Sequence, residues 1–332
     1  MLCLLDRILV FAFVLECNSS VWSKFDWEKL TTIVMFNFYD IDLLKHAHDN
    51  GVVVAKMENI AKSDLANSTA RAEWVATQVD DVVQKGLDGF NFDFEDPLDP
   101  DSPESHGYTA LVKELREALL AALPAAQVSV DVAWSAAGID GRFYDYTGLA
   151  ANSDLLFVMA YDEMSQIWDE PCNARPNSNL TYAEEGIMTY QALGIENSKL
   201  VLGLPWYGYV YRCIEYFPDN ETCLIEEIPF RGCPCSDAAG RQYEYRLLQD
   251  LLRERNLTEL WDPSSHTPYF TFTDNGTVYQ VRHDNPRSLL DKTTYARSEG
   301  LAGAGMWAAN FLDYSDTPEG QMQRDAMWGV MP

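Results

Sequence analysis

The sequence predicts a (β/α)8 barrel, an α/β fold in which eight parallel strands close into a barrel covered by helices. This prediction rests on eight apolar stretches of strand length and on the helical patterns between them. Most stretches are unbroken and rich in Val, Phe and Leu, which is typical of parallel strands covered on both faces. The predicted strands are 8–15, 33–38, 52–57, 89–95, 128–134, 155–161, 200–206 and 302–307. Strands that alternate with helices eight times are the pattern of this barrel.

Helical periodicity separates the strands. Leucines recur every fourth residue within 108–123, and Pro124 ends this predicted helix. Similar patterns cover 182–193 and 288–297, and a glycine lies shortly after each of them. The sequence therefore predicts the covering helices as well as the strands.

One interval, residues 209–285 between the seventh and eighth strands, is too long for a single helix. It holds four of the seven cysteines and a hairpin signal, in which Asp274-Asn-Gly276 lies between two strand-like stretches. We interpret it as an α+β insertion at the C-terminal face of the barrel, where barrel enzymes carry their active sites. No linker divides the chain, so residues 1–332 are predicted to form one domain.

The net negative charge of the chain excludes some classes of binding partner. The chain has 51 acidic and 24 basic residues, which gives a formal net charge of −27. A surface this negative repels nucleic acid and anionic membranes, so neither is an expected partner. Two interpretations of the charge stay open: adaptation to a neutral or cationic partner or an acidic compartment, and simple solubility. We expect a monomer.

Cysteines and sequons indicate passage through the secretory pathway. Disulfides are expected among the five cysteines between 172 and 235, the pairing is open, and the odd total leaves at least one thiol free. Six N-x-[ST] sequons begin at Asn18, Asn67, Asn179, Asn220, Asn256 and Asn275. The apolar stretch 8–15 is too short to span a membrane, and we interpret it as the first strand. If it were a signal-peptide remnant, the barrel would lack one strand.

The stretch most informative about function is Asp88-Gly-Phe-Asn-Phe-Asp-Phe-Glu95. Side chains alternate between the two faces of a strand, so the phenylalanines pack outward while Asn91, Asp93 and Glu95 point into the barrel. Buried carboxylates are costly unless they are used, which disfavours the alternative of an acidic loop start. Two carboxylates this close do not both ionise easily, so one keeps the proton that a general acid needs.

A second carboxylate on the same strand does not reach the far side of a sugar, where most glycosidases place their nucleophile or base. Some other group must therefore attack the anomeric carbon.

The stretch resembles the D-x-x-D-x-D-x-E signature of glycoside hydrolase family 18, the chitinase-like hydrolases. The likeness extends over nearly the whole chain and includes Met159-Ala-Tyr-Asp162, Gly203-Leu-Pro-Trp-Tyr-Gly208 and Gly303-Ala-Gly-Met-Trp307. Asn91 stands where the family has its middle Asp, and 52–57 lacks the S-x-G-G run common in chitinases. Both departures resemble the di-N-acetylchitobiase branch, as do Asp131-Val-Ala-Trp-Ser135 and Pro229-Phe-Arg-Gly232.

The resemblance implies substrate-assisted, retaining catalysis, in which the substrate's own 2-acetamido carbonyl attacks the anomeric carbon. Glu95 would protonate the leaving oxygen and then activate water. Asp93 would orient the acetamido N–H and help to hold the proton on Glu95, with Asn91 as its neutral support. Tyr161 would hydrogen-bond the acetamido oxygen, and Asp162 would contact the distorted sugar.

Asn91 and several further positions are also interpreted as substrate contacts. Trp307 would lie under the apolar face of the sugar, with core packing as the alternative. Asp131 faces inward by parity and is either a site residue or a structural partner of the acidic strand. Trp206 and Tyr207 leave packing and sugar contact open.

The sequence thus predicts an exo-acting hydrolase of β-1,4-linked N-acetylglucosamine. The resemblance implies action in the lysosome, or after secretion, on the chitobiose core of asparagine-linked glycans, with release of the reducing-end sugar and no cofactor. No metal site is predicted, because no Cys or His cluster has ligand spacing. Two alternatives stay open: an endochitinase acting on chitin, and a non-catalytic chitinase-like lectin, although such lectins typically lose the acid.

Overall fold

The computed structural model describes residues 8–166 and 171–332. The first seven barrel strands are β1 Leu9–Val14, β2 Thr32–Met35, β3 Val53–Met57, β4 Gly89–Phe92, β5 Gln127–Ala133, β6 Leu155–Met159 and β7 Leu200–Pro205. The eighth is Gly303–Trp307, numbered β15 because seven strands of the insertion precede it. The strands are parallel and close in the order β1-β15-β7-β6-β5-β4-β3-β2. The predicted fold class and all eight predicted strands are confirmed.

The apolar stretch at the N-terminus is a strand of the barrel. β1 pairs with both β2 and β15, and its residues from Val10 to Val14 are buried. Because β1 closes the barrel between two neighbours, the interpretation of this stretch as the first strand is confirmed.

A phenylalanine fills the centre of the barrel. The ring of Phe157, on β6, lies 5.3 Å from the ring of Phe11 and 5.0 Å from that of Phe13. Gly203 and Gly305 make room for it, because a Cβ atom at these positions would approach the Phe157 ring to 2.5 and 2.6 Å. The barrel interior is therefore a packed core and not a pore.

Helices follow the strands along the chain, and most of those in the described residues begin at a polar side chain that caps their N-terminus. The helices are α1 Ser19–Trp22, α2 Ile41–Asp49, α3 Ser68–Lys85, α4 Pro103–Ala122, α5 Tyr146–Ala151, α6 Leu180–Ala192, α7 Tyr245–Glu254, α8 Pro286–Ser298 and α9 Pro318–Gly329. α4 buries Leu111, Leu115 and Leu119, as the periodicity predicts. It begins before residue 108 because the Ser102 side chain caps its N-terminus and Pro103 fits the first turn.

The segment between β7 and β15 forms a second sheet. Its strands are β8 Tyr207–Arg212, β9 Glu215–Phe217, β10 Thr222–Leu224, β11 Gly240–Glu244, β12 Leu260–Asp262, β13 Thr267–Asp274 and β14 Thr277–Arg282. Five of them pair antiparallel in the order β11-β8-β14-β13-β12, while β9 and β10 pair separately. The predicted hairpin is β13 and β14. This sheet, together with α7, confirms the predicted α+β insertion between the seventh and eighth barrel strands.

Two disulfides cross-link this region. Cys213 pairs with Cys223 inside the insertion, and Cys172 pairs with Cys235 and so ties the segment after β6 to the insertion. Cys17 and Cys233 carry free thiols, whereas Cys3 lies outside the described residues. Within the described part of the chain, no helix combines the length and apolarity needed to cross a membrane.

Candidate active site

A cavity of about 520 Å³ opens at the C-terminal ends of the barrel strands. Its volume is typical of a small-molecule site. One side is formed by residues at strand ends, which are Asp93, Glu95, Asp131, Ala133, Met159, Tyr161, Asp162 and Trp307. The other side comes from the inserted segment and includes Phe230, Asp237 and Gln242. The cavity is therefore built jointly by the barrel and the insertion.

The acidic stretch enters this cavity in the alternation that the sequence predicts. β4 ends at Phe92, and the chain continues so that Asp93 and Glu95 line the cavity. Phe94 lies between them and is buried on the outer face, with its ring 4.9 Å from that of Tyr108 on α4. This outward packing keeps both carboxylates directed to the same side.

The carboxyl group of Asp93 has a pKa raised to the neutral range. Burial is the main cause that raises the pKa of Asp93 to about 7; the negative charge of Glu95 also raises it, and the positive charge of Arg142 lowers it. Burial and the charge of Asp93 likewise raise the pKa of Asp131 on the neighbouring strand. One cavity wall thus carries protonated carboxyl groups at a pH where exposed ones are ionised.

The Glu95 side chain is the more accessible member of the pair, with 46% of it exposed. Its Oε2 accepts a hydrogen bond of 2.5 Å from Nη2 of Arg142, and the same nitrogen lies 3.2 Å from Oδ2 of Asp140. The backbone carbonyl of Glu95 accepts a second guanidinium bond, 2.7 Å from Nη1 of Arg231. Two arginines therefore hold Glu95, one at the side chain and one at the backbone.

Asn91 supports Asp131 and Ser129. Its Nδ2 donates to Oγ of Ser129 at 3.0 Å and to Oδ1 of Asp131 at 2.9 Å, which links β4 to β5. Among the contacts of the described residues there is no hydrogen bond from Asn91 to Asp93. Asn91 is fully buried and lies outside the cavity lining, so the predicted direct support of Asp93 and the predicted substrate contact are not seen.

Asp162 lies under two tyrosine hydroxyls. Its Oδ1 accepts hydrogen bonds from Tyr207 at 2.6 Å and from Tyr209 at 2.9 Å. Burial raises the pKa of Asp162 to about 6, against these two hydrogen bonds, which lower it. The backbone of Asp162 is left-handed, with φ of 53°, and its N–H donates to Oδ1 of the buried Asn177 at 2.9 Å. Tyr161 precedes it and also lines the cavity.

The two predicted tryptophans differ. Trp307 lines the cavity and packs on Phe13 and Phe36, with ring centroids 5.2 and 4.8 Å apart. Trp206 is fully buried and packs edge to face against Trp328 of α9 at 5.0 Å. Trp206 is therefore a packing residue covered by α9, and it does not line the cavity.

No three His, Cys, Asp or Glu side chains come together within 8–166 and 171–332 in a way that would hold a metal ion.

Comparison with family models identifies the family of this chain. The family described as Glycosyl hydrolases family 18 matches residues 6–311, which is most of the chain. The chain belongs to glycosyl hydrolase family 18. It is accordingly a glycosidase by family, and the resemblance stated from its motifs is confirmed.

Relatives within family 18 extend over nearly the full length. Di-N-acetylchitobiase of Rattus norvegicus is 42% identical over 96% of this chain and 87% of its own length. Di-N-acetylchitobiase of Homo sapiens is 40% identical over 96% of this chain and 83% of its own length. The crystal structure of a chitinase from Rhizomucor miehei superposes with a TM-score of 0.76, at 22% identity, over 97% of this chain and 99% of that one. The last comparison shows the fold alone.

Three polar residues of this family 18 site were missed by sequence reasoning. Arg142 and Asn177 lie in loops with no periodic pattern, and Arg231 was quoted within 229–232 only for its resemblance. The available signal for the two arginines was a basic residue in a loop after a barrel strand, in a chain with few basic residues. That signal does not say which carboxylate the arginine meets.

Proposed function

We propose that this family 18 chain hydrolyses the β-1,4 bond of the chitobiose core of asparagine-linked glycans and releases the reducing-end N-acetylglucosamine. The observation that carries the proposal is the pair Asp93 and Glu95, two carboxylates on one strand end that face one cavity. The names of the relatives, which are di-N-acetylchitobiases, support the substrate.

Five residues of the cavity take part in the proposed reaction. Glu95 protonates the glycosidic oxygen while the substrate's acetamido carbonyl attacks the anomeric carbon, and it then activates the water that opens the intermediate. Asp93 accepts the acetamido N–H, and Tyr161 hydrogen-bonds the acetamido oxygen. Asp162 binds the distorted sugar, and Trp307 lies against its apolar face.

The insertion favours a short substrate. Phe230, Asp237 and Gln242 close one side of the cavity, whereas an endochitinase needs an open groove along which a polymer can lie. The presence of Glu95 also disfavours the lectin alternative. Two disulfides and sequon asparagines that are exposed, such as Asn67 and Asn256, support a secreted or lysosomal protein.

The test is the product of the reaction. The purified protein is incubated with a chitobiose-ended oligosaccharide at acidic pH, and the released sugars and their anomeric form are identified. We expect single N-acetylglucosamine from the reducing end, with retention of configuration at the cleaved bond. Release of internal fragments from chitin would favour an endochitinase, and binding without turnover would favour a lectin.

The pH dependence follows from the raised pKa of Asp93, about 7. Below that pH, Asp93 carries a proton next to the proposed acid; above it, Asp93 is ionised and that proton is lost. We expect kcat/KM to fall about tenfold per unit as the pH rises through 7. The profile is measured on the same oligosaccharide, for wild type and Asp162→Asn. A midpoint that moves with the Asp162 substitution would assign the fall to Asp162.

A further inference from the structure

One turn of the insertion, residues 230–233, reaches over the strand end that carries the proposed acid, and we call it the insertion turn. Arg231 donates from Nη1 to the backbone carbonyl of Glu95 at 2.7 Å, which places the turn beside the end of β4. The turn also lies beside the loop after β5. Burial raises the pKa of Asp140 in that loop, and the charges of Arg142 and Arg231 lower it. Two neighbouring strand ends therefore face the insertion turn.

Hydrogen bonds within the insertion turn fix its shape. The backbones of Phe230 and Cys233 exchange two hydrogen bonds, with N–O distances of 2.8 and 2.9 Å. Arg231 and Gly232 lie between them and have positive φ angles of 44° and 92°, which is typical of a tight two-residue turn.

The base of the insertion turn is fixed as well. The Ser236 hydroxyl donates to the carbonyl of Ile228 at 2.7 Å, which joins the chain before the turn to the chain after it. The disulfide from Cys235 to Cys172 ties the same base to the segment after β6. The turn is therefore held at its tip by Glu95 and at its base by these two links.

The Phe230 side chain extends from the insertion turn into the cavity, where it forms part of the lining. The guanidinium Cζ of Arg231 lies 5.1 Å from the centroid of its ring, and this cation–π contact helps to hold the ring in place. Phe230 is nevertheless 37% exposed. The ring thus keeps apolar surface that a ligand in the cavity can cover.

The position of Glu95 determines on which side of the cavity the leaving sugar lies. The acid protonates the oxygen that departs with this sugar, so the sugar has to begin within hydrogen-bond reach of Glu95. Trp307, which lies against the sugar under attack, is on β15, and β15 and β4 are four strands apart in either direction around the barrel. The leaving sugar therefore lies on the β4 side, where the insertion turn is.

We propose that Phe230 packs against the apolar face of the leaving sugar, and that the insertion turn leaves space for only one sugar beyond the cleaved bond. The inference rests on the proposed function and names the residue that sets the size of the product. A turn held at its tip and at its base does not move aside for a second sugar. Phe230 is thus a specificity-determining contact that takes no part in the proton transfers.

The experiment uses chitotetraose that carries ¹⁸O at its reducing end. Short hydrolysis in ordinary water puts ¹⁶O on every new reducing end, so mass spectrometry identifies the fragment that leaves from the original one. Wild type should release N-acetylglucosamine as nearly the only labelled product. In Phe230→Ala we expect the ratio of labelled disaccharide to labelled monosaccharide to rise at least about tenfold, the scale on which pocket shape discriminates between substrates. KM for chitobiose should rise about two- to tenfold, because a ring contact is lost.

Two controls separate the ring from its surroundings. Phe230→Trp keeps an aromatic ring of at least the same bulk and should release the labelled monosaccharide as the wild type does. Phe217 is a similarly exposed phenylalanine, at 40%, on β9 of the same insertion, but it does not line the cavity. Phe217→Ala should therefore leave the products unchanged. If Phe230→Ala still releases only labelled monosaccharide, the insertion turn does not limit the leaving site and the proposal is overturned.

A second variant, Arg231→Ala, covers the case in which Phe230→Ala does not fold or does not turn over. It frees the insertion turn from the Glu95 carbonyl and the Phe230 ring from its guanidinium, so labelled disaccharide should appear here too. The product ratio counts only cleaved molecules, so a lower kcat does not hide the change. Labelled monosaccharide alone from this variant would again overturn the proposal. A wild-type protein without any turnover would instead overturn the proposed function, and this inference with it.

Discussion

Replacing Glu95 with glutamine lowers kcat on chitobiose-ended oligosaccharide by about a thousandfold, the scale expected when a general acid is lost. Glutamine has nearly the same size and still accepts a hydrogen bond from Arg142, but it carries no proton to give. The side chain is 46% exposed, so packing and thermal stability should not change. KM or the dissociation constant of the substrate should stay within a few-fold of the wild-type value.

The control for this variant is Asp96→Asn, which neutralises the next carboxylate along the chain. Asp96 is exposed and does not line the cavity, so its substitution should leave kcat unchanged. If Glu95→Gln turned over substrate within tenfold of the wild type, the proton would come from another group and the assignment of the acid would be wrong.

Replacing Lys292 with alanine destabilises the fold by about 3–5 kcal/mol, the cost of breaking a buried ion pair from one side. Lys292 and Asp284 are both fully inaccessible, and the ammonium bonds the Asp284 carboxylate and the Ser178 carbonyl. Without it, the Asp284 carboxylate keeps the Ser288 hydroxyl at 2.7 Å as a neutral donor but has lost its charge partner. Chemical denaturation measures the loss.

Two comparisons separate charge from packing. Lys292→Met with Asp284→Asn removes both charges and should recover part of the stability lost in Lys292→Ala. Lys85→Ala breaks the partly exposed pair with Asp81 and should cost under about 1 kcal/mol. Equal losses in the single and double Lys292 variants would mean that packing alone is at stake.

The sequence predicts the barrel well for a physical reason. Strands covered on both faces must be apolar along their whole length, so β1 and β7 stand out as unbroken runs. The start of α4 is not evident from the sequence in this way. Its first turn is polar and is fixed by the Ser102 cap, not by an apolar stripe. Hydrophobic periodicity predicts which residues face the core, but it does not predict where a capped helix begins.

In the candidate site too, some residues could be predicted from the sequence and others could not. Asp93 and Glu95 follow from the two-residue period of a strand. Arg142 meets Glu95 from 47 residues away, and Arg231 meets it from 136 residues away, through loops whose paths no local pattern predicts. The sequence leaves Trp206 open between packing and sugar contact, because the helix that packs on it, α9, comes from the end of the chain. Contacts made by distant segments need the fold before they can be named.

The bond from Arg231 to the Glu95 carbonyl has a consequence for protein engineering. The insertion does more than form a wall, because it also supplies a donor that holds the backbone of the strand end that carries Asp93 and Glu95. Trimming the insertion to admit longer glycans would release that backbone at the same time. Loop exchange aimed at substrate length must therefore bring its own donor, or selectivity and turnover will change together.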